Sequence, residues 1–261
     1  MKHARAIVRL LLLLGYSGFA FVRVTIAVAL AARMESARLG VRVSHFHRWS
    51  RMMARILGMS ITMRGHPAPP PFVLVSNHLS YVDVILVGAC VPGVFVAKSE
   101  IARWPILGSL TRAANTLFIE RERMSDIPRV LELLDGVLDA GQGVILFPEG
   151  TSTAGDRVLP FRSPLLEVAS RRTLPVTYAT IRYETIEHES ENRRDATAEG
   201  GGAVCWWGEM TLAGHLYRLL QLPGFHATLK IGARPIADSD RKALATKLRD
   251  AVASQLVHHS A

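Results

Sequence analysis

The residues best suited to chemistry lie in Asn77-His78-Leu79-Ser80-Tyr81-Val82-Asp83, directly after the apolar run Phe72-Val73-Leu74-Val75-Ser76. α/β proteins place their active crevices at the ends of such buried strands. His78 and Asp83 are five positions apart, ~500° of rotation on a regular helix, and so ~140° out of register. They can pair only if His78 sits in a non-helical turn and Asp83 points back from the helix that follows. A carboxylate on one imidazole nitrogen fixes the tautomer and raises the basicity of the other. Such a pair can remove a proton from a hydroxyl. On its own, a histidine at a strand end is more often a capping or core residue.

Three further stretches follow at strand ends. Phe147-Pro148-Glu149-Gly150-Thr151 reads as a tight loop, and backbone amides in such a turn can face an anion. Phe118-Ile119-Glu120-Arg121 releases an arginine from another strand, and Leu174-Pro175-Val176 opens a later one. Singly, each is an ordinary turn or a surface residue.

The elements that must position these residues are legible from Gly65 onward. Apolar runs at 72–76, 94–97, 116–119, 143–147, 174–183 and 226–231 predict strands. Helices are predicted at 81–91, 125–140, 163–172, 211–222 and 238–257. Ser125 with Asp126 is expected to cap the second of these, and Asp238 or Ser239 the last. Polar residues 184–202 read as a long loop or lid. Alternating strands and helices imply an α/β fold with a mostly parallel sheet flanked by helices on both faces.

The 261 residues carry 31 basic and 22 acidic side chains, a net charge of +9, and 49% are hydrophobic. Disordered, collagen-like and coiled-coil classes are excluded by that apolar content and the lack of a repeat. Cys90 and Cys205 are too few for a disulfide framework and lack zinc-site spacing, which fits a reduced, cytosol-facing protein. A mean hydropathy of +0.21 with a pI near 10.1 points to a partner both apolar and anionic, a membrane surface and not nucleic acid. Residues 10–22 and 24–32 are apolar runs separated by Arg23, each short for a perpendicular span. An uncleaved membrane-embedded helix or helical hairpin is expected, a signal peptide being the alternative. Arg33, Arg38, Arg42, Arg48, Arg51 and Arg55 alternate with apolar residues, as in helices lying on anionic lipid. Two regions follow: an N-terminal membrane-associated helical anchor at 1–60 and a catalytic domain at 61–261.

Taken together, N-H-x-x-x-x-D, F-I-x-R, F-P-E-G-T and a Leu-Pro strand opening, in this order, resemble the lysophospholipid (1-acylglycerol-3-phosphate) acyltransferase family. The resemblance covers roughly residues 70–183. It implies an acyltransferase fold and a membrane-associated O-acyltransferase of phospholipid biosynthesis, acting at the cytoplasmic face of the inner membrane. His78 would be the general base, oriented by Asp83. Arg121 would grip an acceptor phosphate, with Asn77, Glu149, Gly150, Thr151 and Arg162 completing the acceptor site and Pro175 shaping the acyl-donor side. The donor would be acyl-CoA or acyl carrier protein and the acceptor a lyso-lipid, with no metal or cofactor. The chain contains no G-x-S-x-G nucleophile elbow, which agrees with direct attack. Where the family commonly continues F-P-E-G-T with Arg-Ser, this chain has Ser152-Thr153, removing one cation. Its later F-K-x-G becomes Phe161-Arg162-Ser163-Pro164. The Trp206-Trp207-Gly208-Glu209-Met210 stretch is weakly similar to branches acting on other lyso-lipids, including lyso-ornithine lipid. A catalytically inactive lipid-binding scaffold and a hydrolase using the same base are the rival readings.

Overall fold

The computed structural model describes residues 1–31, 35–104, 107–120, 123–185 and 202–257. In chain order the elements are α1 (Lys2–Leu30), α2 (Glu35–Leu57), β1 (Met59–Arg64), β2 (Val73–Ser76), α3 (Val82–Cys90), β3 (Val94–Lys98), α4 (Leu107–Ala113) and β4 (Leu117–Ile119). They continue with α5 (Ile127–Asp139), β5 (Val144–Leu146), α6 (Glu167–Ser170), β6 (Val176–Thr185), α7 (Leu212–Gln221), β7 (Phe225–Ile231) and α8 (Arg241–Val257). The strands form one seven-stranded sheet in the order β1-β7-β6-β2-β5-β3-β4. Every neighbouring pair is parallel except β6 and β7, which run antiparallel.

Val73–Val75 of β2 and the whole of β5 are apolar at every position because both faces are covered. Successive side chains leave a strand on opposite sides, so Leu74 and Ile145 enter one core with α3 and α7. Val73, Val75, Val144 and Leu146 enter the other with α5 and α8. β2 lies between β5 and β6, with Val75 level with Leu146 and Ser76 level with Ala179. The loops leaving β2 and β5 therefore emerge side by side at one edge. β6 is ten residues long against four for β2 and runs on past the β2 end, where β7 supports it.

The N-terminal region adds to the expectations in three respects. First, residues 2–30 take the single helix of the two expected forms, unbroken through Arg23 and ~43 Å long at 1.5 Å per residue. By length and composition it can cross a membrane. Ile7, Leu11, Phe19, Val22 and Ile26 are each more than half exposed along it. Secondly, α2 does not simply lie on a surface: Leu39, Val43, Met53, Ala54 and Leu57 are buried, several against α3 and the sheet. Thirdly, the boundary expected at residue 60 falls inside β1, which the arginine-rich pattern before it concealed. Arg5 and Arg9 do not serve as free basic residues. They donate to the carbonyls of Leu220, Gln221, Leu222 and Pro223, closing the C-terminal end of α7.

Two helix starts also differ. Asp126 does not cap α5 but accepts from the Glu120 N–H and pairs with Arg129. At α8 it is Asp240, not Asp238 or Ser239, that receives the Lys242 and Ala243 N–H groups, at 2.6 and 2.9 Å. Of the loop or lid expected at 184–202, Glu184 and Thr185 instead close β6, and 186–201 lie outside the described residues.

Close approach of β2 and β5 depends on Gly143, where an added Cβ would stand 2.1–2.5 Å from the Phe72 ring. Gly143→Ala is expected to destabilise by about 1–3 kcal/mol through overpacking. Gly136→Ala, in an exposed and open part of α5, is expected to stabilise by about 0.5–1 kcal/mol. Urea unfolding of both variants checks the pair; equal effects would show that Phe72 is free to move aside.

Candidate active site

After β2 the chain makes the non-helical turn that pairing requires. Asn77 is fully buried, and its amide donates to and accepts from the Ile181 backbone at 3.0 and 2.8 Å, locking the turn to β6. Asp83 then projects back from the first turn of α3. Its Oδ2 receives the N–H groups of Leu79 (2.6 Å) and Ser80 (3.0 Å) and the His78 Nδ1 (2.7 Å). Its Oδ1 receives the Tyr183 hydroxyl at 2.7 Å. Asp83 is 0% exposed. Because a carboxylate accepts, the Nδ1 proton belongs to His78, and Nε2 keeps its lone pair. No hydrogen bond engages Nε2 among the described residues. The imidazole stacks on Phe147 at 4.5 Å and keeps a side chain 20% exposed. A substrate hydroxyl can reach it.

The loop leaving β5 grips the His78 backbone from both sides. Glu149 Oε1 accepts the His78 N–H at 2.7 Å, and Thr153 N–H donates to the His78 carbonyl at 3.0 Å. Glu149 Oε2 accepts from Leu159 N–H at 2.8 Å. Burial pushes the Glu149 carboxyl up to about 7 against the pull of these two donors. Gly150 has φ +76°, which favours glycine, and an added Cβ would meet the Arg162 guanidinium at 2.9 Å. Arg162 N–H closes the same loop on the Pro148 carbonyl at 2.9 Å. The Ser152 hydroxyl donates to the Trp206 carbonyl, and Trp206 N–H donates to the Leu79 carbonyl at 2.9 Å. Thus one residue from the 206–210 stretch ties both catalytic loops together, its indole edge-on to Tyr81.

A buried acid–base pair with one exposed imidazole nitrogen can activate a hydroxyl, and sequence comparison says on which family it stands. Residues 60–182 match the family described as Acyltransferase. The chain is 32% identical over 213 residues to the lyso-ornithine lipid O-acyltransferase of Rhodobacter capsulatus, covering 80% of this chain and 75% of that one. It is 32% identical over 195 residues to the 1-acyl-sn-glycerol-3-phosphate acyltransferase of Neisseria gonorrhoeae, covering 72% and 71%. The chain belongs to the acyltransferase family. Its fold is also that of the crystal structure of the 1-acyl-sn-glycerophosphate acyltransferase PlsC from Thermotoga maritima. That likeness has a TM-score of 0.65 at 19% identity and covers 100% of this chain and 98% of that one.

The acyltransferase motifs converge unequally. His78, Asp83, Glu149, Gly150 and Arg162 meet around one loop pair, whereas Thr151 is exposed and, among the described residues, makes no contact that defines a role. Asn77 is a positioning residue, its amide taken up by Ile181. Pro175 is not brought to the site. It precedes Val176, level with Val73 at the opposite end of β2, so it lies roughly 20 Å along β6 from Ile181. Arg121 lies outside the described residues. One participant had no sequence signal: Tyr183, one apolar-looking position of a buried strand. Trp206 lies in a stretch the sequence had singled out, but its tie to both loops appears only when the approach to α7 is laid beside them. Among the described residues no group of three or more His, Cys, Asp or Glu side chains is placed to hold a metal ion.

Glu149 carries a pH signature. Its carboxyl holds the proton more tightly folded (about 7) than at its ordinary 4.5. Its contribution to stability is therefore complete below pH 4.5 and lost as pH rises through about 7. Urea unfolding at pH 5 and pH 8 is expected to show a loss on the order of 1–3 kcal/mol from this group. The loss should shrink in Glu149→Gln, because an amide does not titrate. An equal loss in both proteins would contradict the assignment.

Proposed function

We propose that this acyltransferase transfers a fatty acyl group from a thioester to the hydroxyl of a lyso-lipid, with 1-acylglycerol-3-phosphate as acceptor. The observation that carries the reading is the His78 imidazole, held through Nδ1 by a buried carboxylate with Nε2 open. Nε2 takes the hydroxyl proton as the oxygen attacks the thioester carbonyl. The tetrahedral intermediate then collapses with loss of the thiolate, which recovers that proton from the imidazolium. Acyl-CoA or acyl carrier protein is the donor. Direct transfer from the thioester is supported because, among the described residues, no serine hydroxyl or cysteine thiol is hydrogen-bonded to the His78 imidazole to carry the acyl group first.

A lyso-ornithine lipid acceptor is the second reading, and Ser152 favours it. The residue after F-P-E-G-T is a neutral hydroxyl bonded to Trp206, where a phosphate monoester would be better held by a cation. The Rhodobacter relative acts on lyso-ornithine lipid by name, and its match extends further along this chain than that of the Neisseria relative. The intact His78–Asp83 pair favours an enzyme over an inactive scaffold. For location, the exposed apolar side of α1 and the arginines of α2 support attachment to the inner membrane from its cytoplasmic side, where thioester donors are made.

Purified protein in micelles, given labelled donor with lysophosphatidate or lyso-ornithine lipid, is expected to form the diacyl product with one of them. His78→Ala should lower that rate ~10²–10⁴-fold without loss of fold, and Asp83→Asn nearly as much. Fatty acid release without acceptor dependence would replace transfer by hydrolysis. The full-length protein is expected to stay with membranes through carbonate washing; release by salt alone would leave only a peripheral attachment.

A further inference from the structure

The Asp83 carboxylate has a second side-chain partner besides His78. Tyr183 is 1% exposed, and its hydroxyl donates to Asp83 Oδ1 at 2.7 Å, while the three remaining donors all address Oδ2. Asp83 is closed to water, so Oδ1 depends on this one phenol among the described residues. The position is built for it. β6 outruns β2, and Tyr183 lies two residues beyond Ile181, whose backbone holds Asn77 at the start of the catalytic turn. Its ring is braced against Phe225 of β7 at 5.9 Å. Burial and the Asp83 charge push the Tyr183 hydroxyl well above its ordinary range, so it remains a donor.

We propose that Tyr183 is a positioning residue of the reaction, fixing the Asp83 carboxylate through Oδ1 and limiting how strongly the His78–Asp83 pair holds a proton. The proposal rests on the base role given to His78 above. A donor on Oδ1 stabilises negative charge on Asp83, so its removal raises the proton affinity of the pair. His78 would then be protonated, and idle, at a pH where the native enzyme is active. Among the described residues, the other titratable groups that act on His78, Asp83 or Tyr183 are Glu149, Cys90 and Cys205. Burial pushes the two thiols up to about 11 and about 12, which keeps them neutral. Glu149 touches the pair through the His78 backbone and is left unchanged in each variant.

The test is the titration of the His78 imidazole by NMR in full-length protein in micelles, alongside the pH profile of kcat/KM. Tyr183→Phe is expected to move the His78 midpoint and the acid limb upward together by about 0.5–1 pH unit. Replacing Tyr183 with 3-fluorotyrosine keeps the size and the donor but makes it more acidic, and is expected to move both downward; it serves if the phenylalanine variant fails to fold. The upward shift is expected to vanish in an Asp83→Asn background. An unmoved His78 midpoint, or the same shift in that Asp83→Asn background, would overturn the proposal. A wild-type protein that transfers no acyl group would overturn the proposed reaction, while the His78 midpoint would still decide the role of Tyr183.

Discussion

A carboxylate closed to water persists in a folded protein only when its oxygens are met by donors. Asp83 meets that condition with four, and the surrounding architecture is the way they are delivered. Two are backbone N–H groups of the turn that Asp83 itself caps, so the turn cannot become helix without abandoning the carboxylate. The third is the imidazole, which thereby gains a fixed tautomer. The fourth arrives from β6, which must run past β2 to bring it.

Glu149 is a second buried carboxylate, bonded to the His78 backbone, in a poorer setting. It has two backbone donors, and burial outweighs them. Its two oxygens join His78 N–H to Leu159 N–H, so the β5 loop is wrapped around one residue while it holds another. The imidazole is thus fixed from three directions: Asp83 at its ring nitrogen, Glu149 and Thr153 at its backbone, and Phe147 beneath its face. Such redundancy suits a base that must wait in position for a substrate arriving from lipid.

Much of this was legible in residue types. The buried strands β2, β3 and β5 announce themselves as unbroken apolar runs, and α5 by its helical period. The five-residue spacing of His78 and Asp83 by itself demands a non-helical turn. What local pattern could not reveal depends on partners distant in sequence. Tyr183 reads as one more strand residue until β6 is laid beside the turn. That Arg5 and Arg9 close the end of α7 shows only when the two helices are laid together. β1 pairs with β7, more than 160 positions later, and nothing in Met59–Arg64 names that partner. Pro175 stands apart from His78 for a geometric reason: a residue at the start of a strand lies at the opposite end of a parallel sheet from the loops that leave the strands. At α8, Asp238, Ser239 and Asp240 are equivalent as cap types, and only backbone geometry selects Asp240.

The central claim is that a buried Asp83 fixes His78 as a base with its free lone pair on Nε2. The most direct measurement is the ¹⁵N spectrum of the ring nitrogens of His78 in the resting full-length protein at a pH above its titration. Nδ1 is expected to carry the proton and Nε2 to be bare, with the Nδ1 proton protected from exchange by Asp83. A proton resident on Nε2, or an even mixture of the two tautomers, would contradict the account.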